Sequence, residues 1–595
     1  MPNPDAMREP CFGSEGPALL GVEFSVSDRR WEGPSIGMDR YAQALQQRYE
    51  LPVELARCLA RRGVEPPQVS IYLDPRVRDL FGNPMAIADM PAAARRLARA
   101  VSQLERVALI ASGTTDGLCA LAVLALWLED AGCQTQWQVL PAGLAAAQSA
   151  LKRRVRRLDG SDLIVCLDCG ANSVIDGNWA PSSDVVVLDS CICLNLPVGV
   201  QAYVNPNRFD EPPEHAHLCT AGVAYTLVAA TRSALKRQAT VPPRAIDLLG
   251  LVALATCSSD VPMIGVNRAF VRQGMSRLRA RQHEGLRAMA DLVLPAQAVR
   301  AEHLKSSFSP VLLAGECVGD VSIGAQLLVA RGSSEAERTV ESLKRIRNES
   351  LPELDRVSEE AVLLAEGRGF NRALVWASGK NWPRFALSHA ASVLGMRSGR
   401  PSVTVSVEGN VAHAVGRSVA GIDLGTVVEH CALQGWISVC TTHRMTVEME
   451  IPVKHVTRVF EQMEMLLRRQ GAHLRDRHAI FLDGMVSLRA VSTDLVDSLD
   501  RLGPFGIGSP RPRYVLPWIR VKGRKLLSGR HLALTMTDED GCNVKGFMPD
   551  AVNGPVGKFL LSCRGRVHIA GTLRIYDRRG TRRPTVYVED ASPVG

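Results

Sequence analysis

The sequence of 595 residues predicts an α/β protein built around a parallel sheet. Three short strands support this class because each is apolar on both faces: VALIA (107–111), DLIVCLD (162–168) and DVVVLDS (184–190). Helical patterns lie between the first two, and strands that helices bury on both faces are typical of βαβ units. The length exceeds what one hydrophobic core organises, so three or four domains are expected.

The remaining elements follow in chain order. Residues rich in Gly, Pro and charge open the sequence and are expected to be weakly structured. A later mixed-charge stretch with an apolar stripe predicts a long exposed helix, interrupted near Pro352. A second α/β block and a turn-rich connector precede short alternating strands, which indicate a small OB-type barrel. The predicted ranges are 1–36 for the weakly structured N-terminus, 37–330 for an N-terminal segment with the parallel-sheet domain, 331–370 for the connecting helix, 371–470 for the second α/β domain, and 471–595 for the connector and barrel.

Composition and the lengths of the apolar runs indicate the cellular location to expect. The formal net charge of +9 permits a polyanionic partner without requiring one. Fifteen cysteines in a chain of this size do not form a disulfide scaffold, and no secretory apolar region follows MPNPDAMREP. The longest apolar runs, such as LCALAVLALWL (118–128), fall short of the roughly 20 residues that span a bilayer. A cytoplasmic protein with no membrane partner is therefore expected.

One polar turn stands out where a strand passes into a helix, IASGTTDGLCAL (110–121). Strand-turn-helix corners of α/β sheets commonly hold phosphates or metals. Asp116 is the one ionisable residue in this turn, among hydroxyls and glycines. The sequence leaves open whether the turn is a working site or an altered one.

Several stretches, taken in their shared order, resemble the RecJ family of single-strand-specific 5′→3′ DNA exonucleases, part of the DHH phosphoesterase superfamily. The stretches are LPVELARCLARRG (51–63), LIVCLDCGANS (163–173), LPVGVQAYVNPNRFD (196–210), LCTAGVAYTLVAA (218–230), DLLGLVALATCSSDVPMIGVNR (247–268) and PFGIGSPRP (504–512). The resemblance implies a DHH-like parallel-sheet domain, a long helix, a DHHA1-like domain and an OB barrel. It also implies a site for two divalent ions, usually Mn²⁺ or Mg²⁺, that activate water on a phosphodiester.

The family motifs that would hold those ions are incomplete in this sequence. The DxDxDG turn falls on residues 112–117 and retains Asp116 alone, while Ser112 and Thr114 replace its other carboxylates. The second motif keeps its aspartate as Asp168. The Asp-His-His motif falls on Asp189, Ser190 and Cys191, and the fourth motif's aspartate falls on Ser259 unless a one-residue shift places Asp260 there.

Three candidate metal ligands therefore remain, Asp116, Asp168 and Asp189. Neutral hydroxyls are poor substitutes for carboxylates around two dications, so a two-metal centre is not expected and the catalytic residues are unassigned. Mn²⁺ or Mg²⁺ is expected only if the site is active. Three alternatives stay open. The aspartates are turn and cap residues of the fold, or they hold one or two ions with help from outside the motifs. In the third alternative, the cysteines of two short motifs bind zinc: Cys166, Cys169, Cys191 and Cys193.

Nucleic-acid contacts are predicted at two places. In the DHHA1-like domain, the WHxGVIG segment falls on 382–388 without its histidine, the phosphate-contact segment keeps Arg417 and Ser418, and the GGHxxAAG loop keeps only His443.

In the barrel, basic side chains near aromatic side chains suit the binding of single-stranded nucleic acid. The basic residues are Arg511, Arg513, Lys522 and Arg524, and the aromatics are Tyr514, Trp518, Phe547, Tyr576 and Tyr587. The alternative is a solvated basic rim, with Arg417 on the surface and His443 in a core.

These features lead to three hypotheses of function. The first is a catalytically impaired RecJ homologue that binds single-stranded nucleic acid, or serves as an accessory subunit in DNA recombination, repair or replication. The second is an active exonuclease. The third is a protein-interaction subunit that binds no nucleic acid.

Overall fold

The structure is a computed structural model and describes residues 18–34, 37–158, 160–170, 183–193, 196–212, 215–237, 241, 243–294, 298–473, 479–578 and 581–594. The chain divides into two compact units. Residues 1–75, 296–298 and 474–595 form the first, and residues 76–295 and 299–473 form the second. The boundary after residue 75 lies inside the range 37–330, which the sequence predicts as an N-terminal segment together with the parallel-sheet domain.

The first unit begins with one short strand and three helices: β1 (Trp31–Glu32), α1 (Met38–Tyr49), α2 (Val53–Arg61) and α3 (Val69–Leu73). Trp31 is fully buried, and its indole Nε1 donates a hydrogen bond to Asp590 Oδ2 at 3.0 Å. The expectation of weak structure is therefore wrong around residue 31, because burying one indole outweighs the polar composition of its neighbours. Residues 1–17 and 35–36 of that predicted segment lie outside the described residues.

The second unit contains the predicted parallel sheet. Its strands lie in the order β3-β2-β4-β5-β6, and every neighbouring pair is parallel. The strands are β2 (Arg106–Ala111), β3 (Gln134–Val139), β4 (Leu163–Leu167), β5 (Asp184–Leu188) and β6 (Ala202–Val204). The helices are α4 (Val77–Leu80), α5 (Met90–Gln103), α6 (Thr115–Asp130), α7 (Leu144–Arg157), α8 (Thr220–Arg237), α9 (Leu249–Ser258), α10 (Gly265–Arg279), α11 (Glu284–Val293), α12 (Ala301–His303), α13 (Ser309–Leu312) and α14 (Ser322–Val329). The α/β prediction is confirmed, and the sheet places the carboxyl ends of β2, β4 and β5 side by side.

A single helix of 34 residues, α15 (Ser333–Glu366), connects two hydrophobic cores of this unit. Its first half buries Val340 and Leu343 in the core of the parallel sheet. Its second half buries Leu354 and Val357 in a separate cluster. The helix continues through Pro352, so the predicted interruption there is wrong.

The second sheet of this unit is mixed and has the order β10-β11-β9-β8-β7. β7 and β8 are parallel, and the other neighbouring pairs are antiparallel. The strands are β7 (Val375–Lys380), β8 (Ser402–Glu408), β9 (Val411–Arg417), β10 (Val439–Thr442) and β11 (Thr446–Pro452), and the helices are α16 (Arg384–Ser398), α17 (Leu424–Leu433) and α18 (Val456–Arg469).

The first unit ends in the predicted barrel. β14, β15, β16, β18 and β17 are hydrogen-bonded in that order, and a further pairing of β14 with β17 closes the barrel. The strands of the six-stranded barrel sheet are β13 (Gly484–Met485), β14 (Arg513–Leu527), β15 (His531–Thr537), β16 (Asn543–Met548), β17 (Val567–Arg578) and β18 (Thr581–Pro593). The short strand β12 (Ile480–Phe481) precedes them, and the helices of this part of the unit are α19 (Thr493–Asp500) and α20 (Pro555–Ser562). β12 also pairs in parallel with β1.

The N-terminal helices share one hydrophobic core with this barrel. Leu55 and Leu59 of α2 lie in the same buried cluster as Leu516 and Leu573 of the barrel strands. The buried Cys58 thiol lies 3.3 Å from the hydroxyl of Tyr514. The segment before residue 75 and the barrel are therefore one structural unit, although more than 400 residues separate them along the chain.

Candidate functional site

The polar turn at residues 112–117 is fixed by close packing at the end of β2. Thr114 caps α6, because its Oγ1 accepts a hydrogen bond from Gly117 N at 3.0 Å. A Cβ atom at Gly117 would lie 2.3 Å from Ser112 Oγ and 2.8 Å from Ser112 O, so only glycine fits there. The turn therefore holds both hydroxyls close to the end of the sheet.

Asp168 is the residue toward which those hydroxyls point. It follows β4 in the left-handed region, with φ of 56°. Its Oδ2 accepts hydrogen bonds from Ser112 Oγ at 2.5 Å and Thr114 Oγ1 at 2.6 Å. Its Oδ1 accepts one from Thr220 Oγ1 at 3.1 Å. Three hydroxyls thus hold the Asp168 carboxylate, and two of them come from positions where the RecJ resemblance places carboxylates.

Asp116 caps a neighbouring helix. Its two carboxylate oxygens accept hydrogen bonds from the first amides of α8, Thr220 N at 2.7 Å and Ala221 N at 2.8 Å. The side chain is buried. Burial, and next the negative charge of Asp168, raise the pKa of Asp116 to about 7.

Asp189 orders the turn that follows β5. Its Oδ1 accepts hydrogen bonds from Ser190 N at 2.8 Å and Cys191 N at 3.1 Å. Burial and the charge of Asp168 raise the pKa of Asp189, and burial raises the pKa of the Cys191 thiol. Ser190 Oγ lies 3.0 Å from Thr220 Oγ1, which joins this turn to the hydroxyls around Asp168.

Three residues of the hydrogen-bond network around Asp168 and Asp189 were not predicted from the sequence: Thr220, Asn205 and Asn207. Asn205 Nδ2 donates to the carbonyl of Cys191 at 2.9 Å, and Asn207 Nδ2 donates to that of Ser190 at 2.7 Å. All three lie in stretches that carry the RecJ resemblance, VNPNRFD and LCTAG, so that signal was available. Their side chains reach the site through contacts that no local pattern encodes.

The arrangement does not fit a pair of divalent cations. Within the ranges that the structure describes, no three His, Cys, Asp or Glu side chains lie together in a way that could hold a metal ion. Each of the three aspartates already accepts hydrogen bonds from the protein, and the hydroxyls point at a carboxylate. The described cysteines likewise provide no zinc site. Asp116 and Asp189 accept hydrogen bonds from backbone amides, as cap and turn residues do, whereas side-chain hydroxyls hold Asp168.

The fourth motif does not restore a ligand. Ser259 Oγ donates to the carbonyl of Ala255 at 2.8 Å, within its own helical turn. Asp260 does not join the three aspartates. It pairs instead with the ammonium of Lys305 and with Arg417 Nη1 at 3.2 Å. The one-residue shift that would make Asp260 a ligand is therefore not supported.

The predicted phosphate contacts of the second sheet separate into two places. Arg417, at the end of β9, pairs with Asp260 and donates from Nη2 to Ser388 Oγ at 2.5 Å. Ser418 Oγ donates to the carbonyl of Ile422 at 2.8 Å and shapes the following loop. His443 lies near Asp189, whose pKa it lowers slightly against the larger effect of burial.

Sequence and structure comparisons agree on one family. A curated single-stranded-DNA-specific exonuclease RecJ from Escherichia coli is 25% identical over 571 residues, covering 92% of this chain and 96% of the relative. The Bacillus subtilis RecJ is 21% identical over 584 residues, covering 95% of this chain and 71% of that protein. The RecJ OB domain model matches residues 482–590. Over most of its length the chain is similar to these RecJ exonucleases.

A solved structure supports the same fold. The crystal structure of the Thermus thermophilus RecJ in complex with Mn²⁺ matches with a TM-score of 0.74 at 21% identity, covering 94% of this chain and 78% of that one. In the part of the chain that the structure describes, no helix has the length and apolar character needed to cross a membrane.

Most of the predicted basic residues of the barrel have intramolecular partners. Arg511 donates to Asp500 Oδ1 at 2.5 Å, and its guanidinium lies 4.3 Å from the ring centroid of Phe505. Arg513 pairs with Glu589 at 2.7 Å. Arg524 Nε donates to the carbonyl of Leu560 at 2.6 Å. Lys522 is exposed on β14.

The aromatics of the barrel also divide. Tyr514 is fully buried, so its prediction as a stacking residue is wrong: its ring packs in the core and its hydroxyl meets Cys58. Phe547 of β16 lies opposite Tyr587 of β18, with ring centroids 5.2 Å apart. Both project outward, because the alternate residues Val544, Val586 and Val588 point into the core.

Further side chains extend this outward pair into a surface. The His531 ring lies 5.8 Å from that of Phe547, and the Arg574 guanidinium lies 4.5 Å from the centroid of Tyr587. Lys545, also exposed, is two residues from Phe547 on the same face. We call His531, Lys545, Phe547, Arg574 and Tyr587 the aromatic platform.

Proposed function

We propose that this protein is a RecJ-family member that binds single-stranded nucleic acid and has lost the two-metal nuclease reaction. The main support is the environment of the Asp168 carboxylate. It accepts hydrogen bonds from the hydroxyls of Ser112, Thr114 and Thr220, where a two-metal site would need metal ligands. Its neighbours Asp116 and Asp189 are engaged with backbone amides. Neither Mn²⁺ nor Mg²⁺ is then a resident cofactor.

The aromatic platform supports the binding part of the proposal. Bases stack on aromatic rings whatever their sequence, and nearby cations contact the phosphate backbone. Phe547 and Tyr587 supply adjoining rings, while Arg574 and Lys545 supply positive charge on the same barrel face. The curated relatives are named for single-stranded DNA, which makes DNA the first ligand to test. An accessory role in DNA recombination or repair follows from binding without cleavage.

A nuclease assay tests the loss of chemistry. Purified full-length protein is incubated with 5′-phosphorylated single strands and Mn²⁺, and strand length is followed by gel electrophoresis. We expect no shortening of the strands. Shortening that disappears in Asp168→Ala and persists in Asp247→Ala, which alters an exposed carboxylate, would show an active exonuclease and overturn the proposal.

A binding assay tests the platform. Affinity for oligothymidylate should fall with rising salt, because phosphate contacts release counterions. Tyr587→Ala and Phe547→Ala should each weaken binding by about 1–3 kcal/mol, the usual loss for one stacked base. Phe24→Ala, which removes an exposed aromatic that is not part of the aromatic platform, should leave the affinity unchanged. Absence of binding at every salt concentration would favour the protein-interaction subunit.

A further inference from the structure

Arg574 already lies on one ring of the aromatic platform. Its guanidinium lies 4.5 Å from the centroid of the Tyr587 ring, within the range of a cation–π contact. Strand register explains this placement, because Thr572 of β17 lies directly opposite Tyr587 of β18, and Arg574 is two residues further along the same face of β17. Arg574 Nε donates to Thr572 Oγ1 at 3.4 Å, so the side chain runs back along its own strand and reaches the ring.

The Tyr587 ring is therefore not bare in the unbound protein. Phe547 packs beside it, with ring centroids 5.2 Å apart and ring planes inclined at 60°, and Arg574 covers a face. Tyr587 is half-buried, which limits the surface that its ring offers to a ligand. A base that stacks flat on the covered face must take the place of the guanidinium, since both would fill the same space above the ring.

Moving the guanidinium from the ring to a phosphate is favourable when a strand is present. On the ring, the cation contacts only the quadrupole of a neutral group, whereas on a phosphate it makes charge-assisted hydrogen bonds to a full negative charge. The planar guanidinium suits both partners. The base that replaces it covers the ring again and adds its own stacking.

We propose that Arg574 occupies the Tyr587 ring in the unbound protein and exchanges the ring for a strand phosphate when a base stacks there. This rests on the proposed function, because it takes a single strand as the ligand of the platform, and it deepens that function by naming what controls access to the ring. Arg574 thus opposes stacking and supports phosphate binding. The two effects can be separated, because salt weakens phosphate contacts through counterion release.

The test measures the affinity of full-length protein for oligothymidylate as the salt concentration rises. Arg574→Ala loses one phosphate contact and leaves the Tyr587 ring bare. Its affinity should be lower than that of wild type at low salt and higher at high salt. The ratio of wild-type to variant affinity should fall about fivefold for each tenfold rise in salt, as for one phosphate contact to a single strand.

Lys545→Ala is the matched control, because it removes one positive charge from the same barrel face without uncovering Tyr587. The Lys545 ammonium donates to Thr535 Oγ1 at 2.9 Å. The affinity of this variant should not exceed that of wild type at any salt concentration. Arg574→Ala/Tyr587→Ala should likewise not exceed Tyr587→Ala, since without the ring the loss of Arg574 removes only a phosphate contact.

Arg574→Lys tests the same exchange in a variant that keeps the charge. A lysine ammonium contacts phosphate but lacks the planar group that stacks on a ring. We expect this variant to have the salt dependence of wild type and a higher affinity at high salt. Thermal melting establishes that each variant is folded.

Other outcomes for folded Arg574→Ala would overturn the proposal. Weaker binding than wild type at every salt concentration would show that the base stacks without displacing the guanidinium. Tighter or unchanged binding at every salt concentration would show that Arg574 makes no phosphate contact. If wild type binds no strand at any salt concentration, the proposed function itself fails, and this result is distinct from strand binding in which the two affinity curves do not cross.

Discussion

The hydroxyls of Ser112 and Thr114 determine which partners the Asp168 carboxylate has. Ser112 and Thr114 each donate a hydrogen bond to the same carboxylate oxygen, so the negative charge of Asp168 is satisfied within the protein. Carboxylates at those positions would face Asp168 at hydrogen-bond distance and would need cations between them. Under the proposed function, these two hydroxyls stabilise the Asp168 carboxylate in place of metal ions.

Reintroducing acidic residues tests this interpretation. Ser112→Asp/Thr114→Asp should lower the free energy of unfolding by about 2–5 kcal/mol in the presence of a chelator, because like charges replace charge-assisted hydrogen bonds. Mn²⁺ should restore part of the melting temperature of this variant and leave wild type unchanged, as seen by differential scanning fluorimetry. Ser112→Ala/Thr114→Ala, which lacks the added charges, should not respond to Mn²⁺. A variant as stable as wild type in chelator would contradict the prediction.

The raised pKa of Asp116 predicts how stability depends on pH. Between an unfolded pKa of 3.8 and a folded pKa of about 7, the folded state retains a proton that the unfolded state has lost. The contribution of Asp116 is therefore present at low pH and is lost as pH rises through about 7. Asp116→Asn should flatten this fall in melting temperature across that range. Asp247→Asn should keep the wild-type slope, and an equal slope in Asp116→Asn would refute the assignment.

In α15, packing keeps the helix continuous although proline is unfavourable inside a helix. Proline removes one helical hydrogen bond, which leaves the carbonyl four residues before it, that of Asn348, without its amide partner. Both Asn348 and Pro352 are exposed, so water can reach that carbonyl. Buried residues on either side, Ile346 and Leu354, fix the two halves in their cores and keep the helix continuous.

Replacing this proline tests its cost. Pro352→Ala should raise the free energy of unfolding by about 1–2 kcal/mol, since the helical penalty of proline exceeds the unfolded-state entropy that proline removes. Chemical denaturation measures the change. Leu351→Ala, at the adjoining exposed position, should have a small effect. A destabilised Pro352→Ala would mean that the bend at this position is required for packing on one of the two cores.

Many of the helices and strands could be predicted from the sequence, and the contacts that could not be predicted share one physical cause. Apolar strands such as VALIA determine a parallel sheet because both of their faces must be covered by helices. The three aspartates were identified by motif order. Their hydrogen-bond partners were not, since Ser112 and Thr220 lie 56 and 52 residues from Asp168 and reach it only after folding. The partners of Asp260 escaped prediction for the same reason.

For the whole molecule, the division into two units differs from the order of the sequence. The barrel shares its core with the helices before residue 75, and Trp31 bonds to Asp590 across 559 residues of chain. A barrel without those helices would lose Leu55, Leu59 and the other helical members of the buried cluster that includes Leu516 and Leu573. The barrel is therefore not expected to be stable alone.

Fragments of the chain test this dependence. Residues 479–595 expressed alone should show no cooperative thermal transition, because part of their core is missing. Addition of a polypeptide spanning residues 18–75 should restore the transition, as followed by circular dichroism. The same polypeptide carrying Leu55→Asp and Leu59→Asp should not. A barrel fragment that melts cooperatively without help would contradict the shared core.

The hydrogen bond between Trp31 and Asp590 also has a consequence for biosynthesis. The N-terminal helices leave the ribosome before the second unit, yet the strands that complete their core are made after it. During translation the apolar face of α2 has no native partner, a situation that favours association with other exposed surfaces. Chaperone dependence should therefore concentrate on the helices before residue 75. A circular permutant that places residues 18–75 directly after the barrel should shorten this exposure and improve the yield of folded protein.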